Sequence, residues 1–150
     1  MLILFLLKNK IAMKKLLFLP YFFLLCSCEE QGILTKDGYN VATVVENGSL
    51  KYHGAFVPTS GISVTGGAKI YLENNQYKVQ LEDFTISKGP DLKVFLSKTA
   101  APTDFVSLGN LTSATAYIIP KGIDIAVYSH VLIYCQQYNH LFAISELIQN

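Results

Sequence analysis

The chain has 150 residues, 51% of them apolar, and its twelve basic side chains against eleven acidic ones leave a net charge of +1. All twelve basic residues are lysine, and they form none of the clustered basic patches that a nucleic-acid or anionic-membrane surface requires, so nucleic acid is set aside as a partner. The length is that of one domain, with enough chain to bury its own core.

The N-terminus reads as an address. Residues 13–28 are MKKLLFLPYFFLLCSC, with Lys14 and Lys15 before the apolar run Leu16 to Leu25. That run is about ten residues, the length of a signal-peptide core and half of what a membrane span needs. Leu25-Cys26-Ser27-Cys28 has the form of a bacterial lipobox: an aliphatic residue, two small residues, then the cysteine whose thiol receives diacylglycerol. We therefore expect residues 1–27 to be a signal peptide, with Met13 as the true start, and Cys28 to be lipidated. Residues 28–48 become a tether, and residues 49–150 a domain held to a membrane of the bacterial cell envelope. An ordinary secretory signal or a short membrane anchor is the plainer alternative.

This processing simplifies the cysteine arithmetic. The chain has three cysteines. Cys26 leaves with the signal and Cys28 is capped by lipid, so Cys135 is the one thiol left and has no intramolecular partner. His53, His130 and His140 do not stand at metal-ligand spacing, and no metal site is expected. Four lysines also leave, which turns the mature balance acidic.

From Leu50 onward the apolar period is two. In residues 68–82, Ala68, Ile70 and Leu72 alternate with Lys69, Tyr71 and Glu73; beyond Asn74-Asn75, Tyr77, Val79 and Leu81 alternate with Lys78, Gln80 and Glu82. Asparagine tolerates positive φ, so the Asn-Asn pair suits a two-residue hairpin turn. The implied register sets Leu72 against Tyr77, Ile70 against Val79 and Ala68 against Leu81, giving one apolar face and one wet one. Gly89-Pro90-Asp91 breaks the chain before a strand with Leu92, Val94 and Leu96 on one face. Residues 100–104 read as a loop, and Ala116 to Ile119 as a short strand stopped by Pro120. Val131 to Cys135, apolar on both faces, suggests a central strand, and Leu141 to Ile144 the last one. Ser145 to Gln149 has the composition to close as one helical turn. The expected fold is all-β: a single antiparallel β-sandwich, jelly-roll-like, of about eight short strands.

Four segments of this pattern together resemble the DM-thirteen, or electron-transfer DM, family. They are Tyr52-His53-Gly54-Ala55-Phe56; Leu81-Glu82-Asp83-Phe84 with Gly89-Pro90-Asp91-Leu92-Lys93-Val94-Phe95-Leu96-Ser97; Leu108-Gly109-Asn110-Leu111 with Tyr117-Ile118-Ile119-Pro120; and Val131-Leu132-Ile133-Tyr134-Cys135 with Phe142 and Leu147. The likeness covers about residues 50–147. It implies an all-β domain of surface and secreted proteins, and a role in electron transfer through a cysteine that maps onto Cys135. That cysteine would act as a bare thiol or by holding a prosthetic group such as haem, with an envelope redox partner or a surface ligand outside the chain. Two positions depart from the family: Tyr134 stands where tryptophan is usual, and FAISEL where small residues follow the phenylalanine.

The residues themselves leave three readings of Cys135 open. As packing, it is a small hydrophobe sharing one face of an apolar strand with Val131 and Ile133. As a redox thiol, it needs access and a group that favours the thiolate. The nearest such groups are His130 and His140. An odd offset puts His130 on the opposite face, and His140 returns only if residues 136–139 form a turn. As a haem ligand, either histidine or Cys135 would act without a C-x-x-C-H attachment motif. The remaining features are weaker. Asp83, Asp91, Asp104 and Asp124 are too scattered for a calcium loop, and Asp83 and Asp91 serve better as braces of the Gly-Pro turn. Asn47-Gly48-Ser49 and Asn110-Leu111-Thr112 are glycosylation sequons only in form. Tyr117, Tyr128, Tyr134 and Tyr138 read as core and rim rather than as a ligand surface.

Overall fold

A computed structural model describes residues 44–150. The expected signal peptide, Met13, the lipid site Cys28 and most of the 28–48 tether lie outside the described residues. Those residues form nine strands: β1 (Ser49–Pro58), β2 (Val64–Glu73), β3 (Gln76–Ile86), β4 (Leu92–Ser97), β5 (Phe105–Asn110), β6 (Ala116–Ile118), β7 (His130–Cys135), β8 (His140–Glu146) and β9 (Ile148–Gln149). The fold is all-β and antiparallel throughout.

The strand order is β5-β4-β7-β8-β1-β2-β3-β6, with β9 added beside β1. Strand β1 makes the two layers continuous. Its first part pairs with β2 from Ser49 to Ala55, and its last three residues, Phe56 to Pro58, pair with β8. One long strand thus serves both sheets, and the ends of the order, β5 and β6, come into contact and nearly close a barrel. The core lies between the layers. Ile70, Val79, Val94, Leu96, Val131, Ile133 and Cys135 are all 0% exposed there.

The β2–β3 hairpin has the expected register, with Ala68, Ile70 and Leu72 opposite Leu81, Val79 and Tyr77. Asn74 and Asn75 adopt φ of 49° and 60°, the left-handed pair that a tight hairpin turn demands. Its outward row is polar, with Lys69 2.6 Å from Glu82 and Lys78 2.6 Å from Glu73.

The C-terminal segment corrects two expectations. Ser145 to Gln149 is not a helical turn, and Leu141–Ile144 is not the last strand. Strand β8 runs on to Glu146, and β9 then pairs Tyr52 with Gln149 and His53 with Ile148. The edge of β1 beyond Pro58's partner strand is open to pairing here, so the backbone gains ladder bonds that one isolated helical turn could not match. A short 3-10 turn at Ile125–Val127 was not expected from the sequence. The Asp124 side chain caps it, accepting from Ala126 N at 3.1 Å.

Candidate functional site

Strand β7 carries Cys135 as its last residue, at one end of the sandwich. β4 and β8 pair with its two edges, so it is central as its two-faced apolar pattern suggests. Alternation turns Val131, Ile133 and Cys135 inward, all 0% exposed, while Leu132 on the other face is also 0% exposed.

Across the ladder, Cys135 has Leu92 on one side and His140 on the other. His140 reaches that place because residues 136–139 do form a turn. Asn139 N donates to Gln136 O at 3.3 Å, and Asn139 takes the left-handed φ of 50° that completes the reversal. A register shift between Ile133 and Tyr134 then sets Leu141 opposite Tyr134 and His140 opposite Cys135. The imidazole is exposed and lies edge-on to the Phe142 ring, with centroids 5.6 Å apart.

His130 is not brought to the thiol. It occupies the other end of β7, paired with Ser97 and Glu146, on the face opposite Cys135. Its Nδ1 lies 2.8 Å from Ser129 Oγ. The Ser129 hydroxyl donates to the Lys98 carbonyl at 2.8 Å, so Nδ1 is the donor in this pair and the ring is a brace.

The Gly89-Pro90-Asp91 turn leads into β4 beside the thiol's end of β7. A Cβ placed on Gly89 would fall 2.6 Å from Leu92 Cδ2 and 3.1 Å from Phe142 Cζ, so a larger residue there would have to push the Leu92 side chain aside. Asp91 anchors the turn twice. Its carbonyl accepts from Gln136 N at 2.9 Å, and its carboxylate lies 2.8 Å from Lys93 Nζ. On the outer side of the same sheet, Tyr134 stacks on Phe95 at 5.5 Å and Phe95 on Phe105 at 4.1 Å. The Tyr134 hydroxyl donates to Asn139 Oδ1, which ties the turn back to β7.

Chemically, the thiolate is the reactive form of cysteine. The thiol here is free and 0% exposed, with His140 as the titratable neighbour across the ladder. Leu92 flanks it on the other side of the ladder, and Gly89 seats on Leu92 and Phe142. All three stand in the segments that carry the family resemblance, and their convergence depends on strand pairing. The signal was the Gly-Pro-Asp-Leu run itself, since a glycine that must stay bare implies a close neighbour.

The other sequence candidates fall elsewhere. Asp91 and Asp104 form ion pairs with Lys93 and Lys98, and Asp124 caps the 3-10 turn. Asp83 sits in β3 with φ of 47°. Among the described residues no group of three or more His, Cys, Asp or Glu is placed to hold a metal. Tyr117 is core, its hydroxyl donating to Ala114 O at 3.0 Å, whereas Tyr138 is 65% exposed at the tip of the β7–β8 turn. The four tyrosines therefore do not share one surface.

The surroundings of Cys135 do not fit haem. A haem iron must meet the sulfur through an open side large enough for the macrocycle. Cys135 is enclosed in the core cluster. Three cavities among the described residues, of about 320, 250 and 380 Å³, are lined by neither Cys135, His130 nor His140.

Neither a search of curated proteins nor one of solved structures returned a match to the chain. The family comparison did: a family described as electron transfer DM13 matches residues 56–147, which include β1's end, the hairpin, Gly89 to Leu92, Cys135 and His140. With more than half of its length matched, and with the all-β domain and the central cysteine strand that the four segments implied, the chain belongs to the electron transfer DM13 family.

Proposed function

We propose that this protein is a redox or electron-transfer module held at the bacterial cell envelope by a lipid on Cys28, with Cys135 as its reacting thiol and His140 as the proton acceptor. One observation carries the reading: the free cysteine of a domain in an electron-transfer family stands across the ladder from a histidine. Oxidation of a thiol by one electron releases one proton. In this reading the exposed His140 passes that proton to solvent, while the electron goes to an external redox partner. Export and anchoring rest on the basic start, the short apolar run and the lipobox at residues 13–28.

The test is Cys135→Ser, assayed for electron exchange with soluble dye acceptors and for far-UV circular dichroism. Loss of exchange with an unchanged β spectrum supports the reading, and unchanged exchange defeats it. Cys28→Ser tests the anchor: the variant should lose lipid label and leave the membrane fraction, and one that stays labelled and bound contradicts it.

A second reading is favoured by a specific observation. Cys135 is 0% exposed inside a cluster of aliphatic and aromatic side chains. In that reading the domain is a noncatalytic surface binding or structural module, and the cysteine is packing. It requires Cys135→Ser to lower stability with every binding property intact.

A further inference from the structure

A fully enclosed thiol that reacts needs a way in, and the walls around Cys135 differ in how firmly they are held. Two are strands. β4 and β8 pair with β7 along its length, from Leu92 to Ser97 and from His140 to Glu146. The third neighbour is the segment 88–90, which seats on Leu92, the residue across the ladder from Cys135, and on Phe142. It lies in no strand, and no hydrogen bond joins it to the rest of the described residues. Pro90 has no N–H to give. The segment is fixed only at its ends, by Ser87 N donating to Ser63 O at 2.9 Å on one side and by the two Asp91 contacts on the other. Between those anchors it is held by contact alone, with Gly89 seated on Leu92 and Phe142. Leu92 is the residue directly across from Cys135.

We propose that the Gly89-Pro90 turn is a lid over Cys135, and that its local opening, with the Leu92 side chain swinging aside beneath it while its backbone stays paired, is the route by which the thiol is reached. Segments with few hydrogen bonds open at free energies far below global unfolding, whereas paired central strands open with the whole domain. Lifting residues 88–90 breaks no ladder bond, while exposing the thiol from either flank means unzipping β7. The lid closes through shape: bare Gly89 fits between two side chains, and Asp91 latches it to Lys93 and Gln136.

The proposal rests on Cys135 being the reacting thiol, but its test reads access and not redox activity. The intact protein is incubated with iodoacetamide without denaturant, and the alkylation of Cys135 is followed by mass spectrometry. The rate is compared with that calculated from global stability measured by urea unfolding. We expect native alkylation at least tenfold faster than global unfolding allows. Asp91→Asn, which removes the ionic latch, should raise the rate severalfold with little change in the urea midpoint. Gly89→Ala, whose methyl must displace the Leu92 side chain, should raise it further. Ile125→Ala, at the other end of the sandwich, serves as the destabilised control and should change the rate only in step with stability. Alkylation that tracks global unfolding in all four proteins overturns the lid, as does acceleration by Ile125→Ala equal to that by Gly89→Ala at matched stability. If the lid variants open the thiol and electron exchange is nevertheless absent from the native protein, the lid stands and the proposed function falls.

Discussion

The two hairpins of this domain are built on different rules. In β2–β3 each strand has one apolar face and one charged face, the turn is two asparagines, and Lys69–Glu82 and Lys78–Glu73 lace the outside. In β7–β8 both faces of β7 are apolar, the turn is four residues, the register shifts beside Tyr134, and no ion pair joins the strands among the described residues. The first hairpin is a half-wet sheet whose pattern specifies its pairing. The second is dry on both sides of β7, and it spends its irregularity on setting His140 opposite Cys135. Structural regularity and the candidate chemistry are separated within one continuous sheet.

The largest effect that sharpens this contrast comes from truncating one side chain on each hairpin. Ile70→Ala, on the inner face of β2, should cost about 2–5 kcal/mol in urea unfolding. Leu132 faces the other way from the core, yet it is also 0% exposed, so Leu132→Ala should cost a similar amount. A Leu132→Ala loss near zero would erase the claim that β7 is dry on both sides.

Next come the turns. Asn75 and Asn139 both hold φ near that of a left-handed helix, 60° and 50°. A β-branched residue there should cost roughly 1–2 kcal/mol at each position, whereas glycine should be tolerated. The readouts should then part. Asn75→Val should leave the rest of the domain undisturbed, while Asn139→Val also removes the acceptor of the Tyr134 hydroxyl and should shift the His140 and Tyr134 resonances. Equal spectral effects from the two variants would break the contrast.

The charged face gives a pH signature that the dry hairpin lacks. The Lys78 ammonium, with help from Asn47 N–H, holds the Glu73 carboxyl below the usual glutamate range, and Lys69 does the same for Glu82 with a further bond from Tyr71. A lowered folded pKa means that the unfolded chain takes up protons first as pH falls. The contribution is therefore full above the ordinary glutamate range and is lost as pH falls through the lowered values. Carboxyl titration by NMR should give midpoints below ordinary glutamate for both, and Lys78→Met should move Glu73 upward while leaving Glu82 in place.

The smallest expected effect has the opposite sign. Ser145 Oγ is buried without a hydrogen-bond partner among the described residues, and Gly54 packs so close that a Cβ there would lie 2.6 Å from it. Ser145→Ala removes an unsatisfied group, so unfolding should show no loss, or a gain of up to about 1 kcal/mol.

What was legible in the sequence follows the same division. The β2–β3 register could be read residue by residue, because alternation and turn chemistry both point to one pairing. The position of β7 was legible from its two apolar faces, but its partners were not, since an all-apolar strand accepts any register. The bulge beside Tyr134 and the turn at residues 136–139 decide whether His140 meets Cys135, and both depend on tertiary pairing with β4 and β8. The tail departs from its expected helical turn for a related reason. Ser145 to Gln149 carries no strand alternation, and only the free edge of β1 makes it extended. Gly89 was legible as a break, while its seat on Leu92 and Phe142 required the fold.

The central claim is that Cys135 reacts rather than merely packs. The most direct measurement is a redox titration of the native protein, with wild type and Cys135→Ser compared by direct electrochemistry and by intact mass at each poise. The account predicts a reversible couple in the wild type that disappears in Cys135→Ser, while both keep the same β spectrum and the His140→Gln variant shifts the pH dependence of the potential. A couple that survives Cys135→Ser, or a wild-type protein with no couple at any poise before it unfolds, would contradict it.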